Sequence, residues 1–195
     1  AFSETMFLLL GGTGVGYSVQ KHHVEKLPEI QKPNPNRGRR YLIGDSIEGW
    51  ADSVKTLMEC LYDGQNQYFD YSGIRPEGAR LMTMGGRASG PQPLVKLHDF
   101  IRETMHNAQG RKLTTLEAHD ICNQIAEIVV VGGVRRSSQI SLSDINDKDM
   151  RHAKEWPFPI KRAMANNSAI FREKPTAAEF LKEWAALALS GTGER

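Results

Sequence analysis

Residues 129–142 read VVVGGVRRSSQISL: an apolar run, two glycines, paired arginines, two serines and then alternating apolar and polar positions. Arg135 and Arg136 are permanently charged planar forks suited to bidentate contact with a phosphate or a base edge, and Ser137 and Ser138 add small donors. Gly132 and Gly133 admit positive φ or close backbone approach, so the helix that 129–131 extends stops there. The segment serves as a nucleotide-contact loop or as a solvated turn. GGRASGP, residues 85–91, has the same character. It places Gly86, Arg87 and Ser89 just before a helix start, where the first amides lack internal partners and suit an anion. A third stretch, GGTGVG at 11–16, has four glycines in six positions. Thr13 offers a hydroxyl there and Gly14 an open backbone, either as a phosphate cradle or as tight packing. Its spacing is neither a dinucleotide fingerprint nor a P-loop. His22 and His23 have no further ligands at metal-site spacing and read as surface residues.

The elements that must carry these loops follow from periodicity. Asp45 or Ser46 caps a helix in which Ile47, Trp50, Val54, Leu57, Met58 and Leu61 recur at helical spacing, with Gly64 as its stop. Residues 68–71 and 79–84 read as short strands and 94–105 as a helix with Leu97, Ile101 and Met105 on one face. Thr114 or Thr115 caps the next helix, whose Leu116, Ile121, Ile125 and Ile128 face the core, with His119 and Asp120 as ordinary polar positions. Residues 135–142 and 165–171 are predicted strands, the latter presenting Asn166, Asn167 and Ser168 at a sheet end. Thr176 caps a last helix, 177–189, with Phe180, Leu181, Trp184 and Leu187 as its apolar face. Residues 33–40, rich in Pro, Asn and Gly, read as a loop, an insertion or lid. Strands and helices in alternation predict an α/β fold with parallel pairing.

With 195 residues and 39% hydrophobic content, the chain can bury one sizeable core or form part of a larger one. The ends read as those of an internal piece, because Ala1 is not a methionine and the last residues, SGTGER, are loop-like. A formal net charge of +2 implies no polyanion partner, so no nucleic acid is expected. The longest apolar run, 6–10, falls far short of the roughly 20 residues that span a bilayer, and no signal-peptide pattern precedes it. Cys60 and Cys122 sit in helical apolar patterns, the setting of buried thiols in a reducing compartment.

Seven strings in order, GGTGVGYSV, DSIEGWADSVKTLM, IRPEGARL, GGRASGPQPL, LEAHDICNQIAEIVVVGGVRRS, MANNSA and SGTGER, resemble the adenosylcobalamin-dependent (class II) ribonucleotide reductases, in particular the monomeric triphosphate branch. The resemblance spans nearly the whole chain. It implies roughly the first half of a ten-stranded α/β barrel over 1–195, with an insertion at 28–64 whose Trp50 helix forms a wall of an effector site. It implies that Thr13, Gly14, Gly133 and Arg135 line the ribonucleotide substrate, and that Gly86, Arg87, Ser89, Arg136 and Ser137 belong to loops serving a deoxynucleotide effector. Asn166 and Asn167 match a strand near the barrel interior. The implied parent is a cytoplasmic enzyme using adenosylcobalamin and a thioredoxin-like reductant; iron-dependent relatives are the nearest alternative. The resemblance assigns no catalytic residue within the chain, and neither cysteine matches the family's radical or reducing thiols. Those would lie before Ala1 and beyond Arg195. A non-catalytic deoxynucleotide-binding module using the same loops is the competing expectation.

Overall fold

A computed structural model of the chain describes residues 1–81, 86–131 and 138–191. Strands β1 (Val15–Ser18), β4 (Gln139–Asp144) and β5 (Ala165–Ile170) form a parallel sheet in the order β1-β4-β5. Its register sets Val15 beside Gln139 and Gln139 beside Ala165, so all three strands start at one end. Parallel neighbours need crossovers. The one from β4 to β5 runs through α6 (Lys148–Arg151) and a 3-10 helix, Ile160–Met164.

Among the described residues β4 covers 139–142 of the predicted 135–142 strand and runs on to Asp144. It turns its alternation inside out: Gln139, Ser141 and Ser143 are buried, whereas Ile140 is exposed. The buried polar side faces α5 (Thr115–Val131), the helix on which Ile121, Ile125, Ile128 and Val129 enter the core. Its amino end is closed by Thr114 and Glu117, each side chain bonded to the other's amide (3.1 and 2.8 Å). That reciprocal cap satisfies two donors that a helix end leaves open. α1 (Phe2–Leu10) packs on α5 and on α3 (Ile47–Tyr62), and α4 (Gln92–Asn107) packs on both α3 and α5. Together they form the main core around Met6, Leu9, Leu57, Leu97, Ile101 and Ile125.

The loop expected at 33–40 is instead most of β2 (Asn34–Leu42), paired in parallel with β3 (Gln65–Asp70). A register shift between Asn34 and Gly38 explains how a strand holds Pro35, which has no amide proton for a ladder bond. The sequence pattern pointed away from a strand because Pro, Asn and Gly, its turn markers, here mark the irregularity itself. β2, α3 and β3 follow one another directly as a βαβ unit. Ser46 is the α3 cap, its Oγ accepting from Gly49 N–H at 3.0 Å, while Asp45 pairs with Arg75 at 2.6 Å. The predicted strand at 79–84 reduces, among the described residues, to one antiparallel bridge between Arg80 and Arg87.

The first turn of α3 crosses close to the chain before it. A Cβ on Gly49 would lie 2.3 Å from the Gly44 carbonyl oxygen, and backbone cannot swing aside as a side chain can. Gly49→Ala is expected to cost about 3 kcal/mol by forcing this crossing apart. Gly44→Ala, whose Cβ would approach Gly49 Cα no nearer than 3.7 Å, is the control and should stay within about 0.5 kcal/mol. Urea midpoints of the two variants check this; equal midpoints would remove the steric account.

α7 (Ala177–Ser190) is capped as expected, Thr176 and Glu179 forming a reciprocal capping box. Its apolar face, however, is not a core face: Phe180, Leu181 and Trp184 are 50–61% exposed and none of the helix is buried. Arg151 and Glu183, 2.7 Å apart, tie it to α6. Cys60 donates to Gln67 Oε1 at 3.7 Å, and burial pushes the Cys122 thiol up to about 12. Among the described residues no helix is long and apolar enough to cross a membrane.

Candidate functional site

The turn at 11–14 is built by the end of α1. Thr13 N–H and Oγ1–H both donate to Leu8 O, at 3.2 and 2.9 Å, and Gly12 takes φ +83° to make the reversal. The Thr13 hydroxyl proton is thus committed to the helix end, leaving its oxygen to accept from a ligand. Val15 N–H then donates to Ser138 O at 2.9 Å, and a Cβ on Gly14 would sit 3.8 Å from Ser138. Gly14 and Val15 are therefore brought against the residue that directly follows the connection 132–137, at the shared amino ends of β1 and β4, with Thr13 next to them in the chain. Gly133, Arg135, Arg136 and Ser137 lie in that connection, outside the described residues.

Gly86, Arg87 and Ser89 stand in a second place. Ala88 N–H donates to Ala79 O at 2.8 Å, and the Arg87 guanidinium donates to Gly78 O at 3.1 Å, closing the loop on itself. α4 begins right after it with no side chain capping its first turn. Among the described residues, no hydrogen bond or ion pair joins this loop to the 11–14 turn.

Between the sheet and α5 lies a layer of buried polar side chains that periodicity alone passed over. His119, taken from the sequence as an ordinary polar position, is fully buried, with Nδ1 3.0 Å from both Tyr17 OH and Ser141 Oγ. Asp120 is likewise engaged, accepting two bonds from the Arg162 guanidinium at 2.7 and 2.8 Å. The available signal was position: His119 precedes Cys122 by three residues and Ala126 by seven, on the buried stripe. Asn167 is buried on this side and Asn166 faces away. At the opposite, carboxyl ends of the strands a cleft of about 1290 Å³ opens beside α7. Its central carboxylate, Asp144, already accepts from Gln20, the Lys21 amide and Arg172, at 2.8, 2.9 and 3.3 Å.

A second buried histidine, His98 on α4, joins α3 to the end of β3. Ser53 Oγ gives its one proton to Trp50 O at 2.7 Å, so His98 Nε2–H must donate to Ser53 at 3.0 Å. Nδ1 then accepts from Tyr71 OH at 2.7 Å. Burial, helped by Arg102, holds His98 neutral, down to about 3; burial likewise holds His119 down to about 4. Both pKa values are depressed, so below pH ~6.5 the unfolded chain binds protons that the folded chain refuses. Stability is expected to be flat above that pH and to fall steadily from there to about pH 4, where the urea midpoint is the measurement. An unchanged midpoint across that window would show that these histidines titrate normally.

Comparison with known proteins gives a consistent result. Residues 17–105 match the B12-dependent ribonucleotide reductase insertion domain. An adenosylcobalamin-dependent ribonucleoside-triphosphate reductase of Lactobacillus delbrueckii subsp. bulgaricus is 37% identical over 79% of this chain and 26% of its own length. Counterparts from Lactobacillus acidophilus and Euglena gracilis are 30% and 32% identical over 87% and 82% of this chain. A crystal structure of a B12-dependent (class II) ribonucleotide reductase superposes with a TM-score of 0.77 at 27% identity, covering 86% of this chain and 28% of that one. The chain thus spans between 22% and 28% of the length of these curated relatives.

Proposed function

Since the chain belongs to the B12-dependent (class II) ribonucleotide reductases, we propose that it is the part of such an enzyme that reads the substrate and the effector. The parent reaction on this reading replaces the 2′-hydroxyl of a ribonucleoside triphosphate by hydrogen, through a thiyl radical, with electrons from a thioredoxin-like dithiol. The observation that supports the reading is the close approach of Gly14 and Val15 to Ser138, the residue that follows 132–137 in the chain.

In this reading Gly14 and Gly133 admit the nucleotide to the backbone and Thr13 Oγ1 accepts a bond from it. Arg135 meets the base with a planar fork that a lysine could not imitate. Gly86, Arg87, Ser89, Arg136 and Ser137 serve the deoxynucleotide effector, and α3, within residues 28–64, walls that site. The β1-β4-β5 sheet is a portion of the family's ten-stranded barrel, in a monomeric cytoplasmic enzyme. Adenosylcobalamin supplies the radical initiator when bound. Among the described residues no group of three or more His, Cys, Asp and Glu side chains is placed to hold a metal ion. The cofactor contacts, like the radical and reducing cysteines, belong on this reading to other parts of the family's length.

The test is to assay the complete polypeptide with adenosylcobalamin, a dithiol and each ribonucleoside triphosphate. Cobalamin-dependent deoxynucleotide formation, with substrate choice that changes on adding deoxynucleotides, is expected. Saturable deoxynucleotide binding without turnover would instead identify a regulatory binding module.

A further inference from the structure

We propose that His119 is a positioning residue through which the loops at the amino ends of β1 and β4 are coupled, with Tyr17 and Ser141 competing for it. The inference rests on the reading above, that those loops touch substrate and effector. Three elements converge on this one ring. β1, carrying Tyr17, starts directly after the 11–14 turn; α5, carrying His119, ends at Val131 directly before 132–137; β4, carrying Ser141, follows that connection.

Both hydroxyls lie 3.0 Å from the same atom, His119 Nδ1. In either tautomer that nitrogen has one lone pair or one proton, so it can make one good bond and must neglect the other hydroxyl. The neglected partner has somewhere to go. Asn123, one turn on from His119, donates Nδ2–H to His119 O at 2.9 Å, while its Oδ1 has no hydrogen-bond partner and it lies within reach of the Tyr17 hydroxyl. Two arrangements follow: Ser141 on His119 with Tyr17 turned to Asn123, or Tyr17 on His119 with Ser141 turned to the Tyr17 hydroxyl, which is also within its reach. His119, Asn123 and Ser141 are all fully buried, so bulk water does not blur the choice. A discrete pair of hydrogen-bond arrangements between rigid elements is the kind of element two sites can bias in common. A shift of β4 imposed through 132–137 changes which hydroxyl wins, and so moves β1 and the turn carrying Thr13 and Gly14.

His119→Phe would remove the hub but also repack a buried ring, so the decisive variants delete one contender each: Tyr17→Phe and Ser141→Ala. Both are made in the complete reductase, and the ratio of kcat/KM for two ribonucleotides is measured with and without each deoxynucleotide effector, alongside Tm. In each variant the effector-driven change in that ratio is expected to shrink about tenfold, with turnover in the absence of effector altered less than about twofold. A role in stability alone would lower Tm and every kcat/KM together while leaving the effector-driven change intact, and that result overturns the proposal. A wild-type enzyme whose substrate choice ignores effectors would overturn the functional reading itself, and this inference with it; the two failures are told apart by the unmutated control.

Discussion

Asp120→Ala is expected to destabilise the fold by about 4 kcal/mol, because it strands a charged guanidinium in a site built for a pair. The two side chains are about 85% shielded from solvent, at 16% and 15% relative exposure, and meet through two bonds of 2.7 and 2.8 Å. The Arg162 guanidinium also donates to Ala153 O at 3.0 Å, so it cannot turn to water without abandoning that carbonyl as well. The pair clamps α5 to the 3-10 helix that delivers the chain to β5, and its loss loosens the crossover as well as the contact. Removing both charges is a milder change than removing one, since no unpaired ion then remains. The double variant Asp120→Leu, Arg162→Met should therefore recover at least half of the loss. Urea denaturation of the two variants decides the matter; a loss under about 1 kcal/mol for Asp120→Ala would show that the guanidinium finds water after all.

Arg135→Ala, in the complete reductase, is expected to cut effector-dependent discrimination between ribonucleotides by a factor of about 10 to 100, the range that allosteric coupling energies allow. Turnover without effector should fall far less if, as proposed, the residue reads the base and not the 2′-carbon. Arg135→Lys keeps the charge but loses the flat, two-pronged donor, and should resemble alanine in specificity. The measured quantity is kcat/KM for each substrate with each effector. Equal losses for all combinations would make Arg135 a general binding residue and end its role in discrimination.

Helices with caps and strong apolar periodicity were legible from the sequence. α3, α4, α5 and α7 fall where Ser46, Leu97, Thr114 and Thr176 place them. β2 was not legible, because a strand with a proline and a register shift uses the same residues as a loop, and only its partner β3 reveals the pairing. Nor was the inward side of β4: alternation shows that Ile140 and Ser141 face opposite ways but not which one meets a helix. The answer depends on His119 arriving from a distant helix with a group for Ser141 to bond. α7 shows the opposite limit, since an apolar stripe records a demand for cover and says nothing of whether the neighbouring elements meet it. In the candidate site, the glycine-rich turn with Thr13 and Gly14 stood out by residue type. The approach of Gly14 to Ser138 is a matter of strand order, which no local pattern contains.

The βαβ arrangement of β2, α3 and β3 has a kinetic consequence. Its two strands pair across a single intervening helix, whereas β1 and β4 must find one another across about 120 intervening positions, and long closures are slow to be rewarded during folding. The β2-α3-β3 unit, stapled to α4 through His98, is expected to gain amide protection first in pulse-labelled refolding, with β1 docking last onto β4. If so, the 11–14 turn is assembled only after the rest of the chain has closed, and a destabilised variant would lose that turn while most of its helices still read as native.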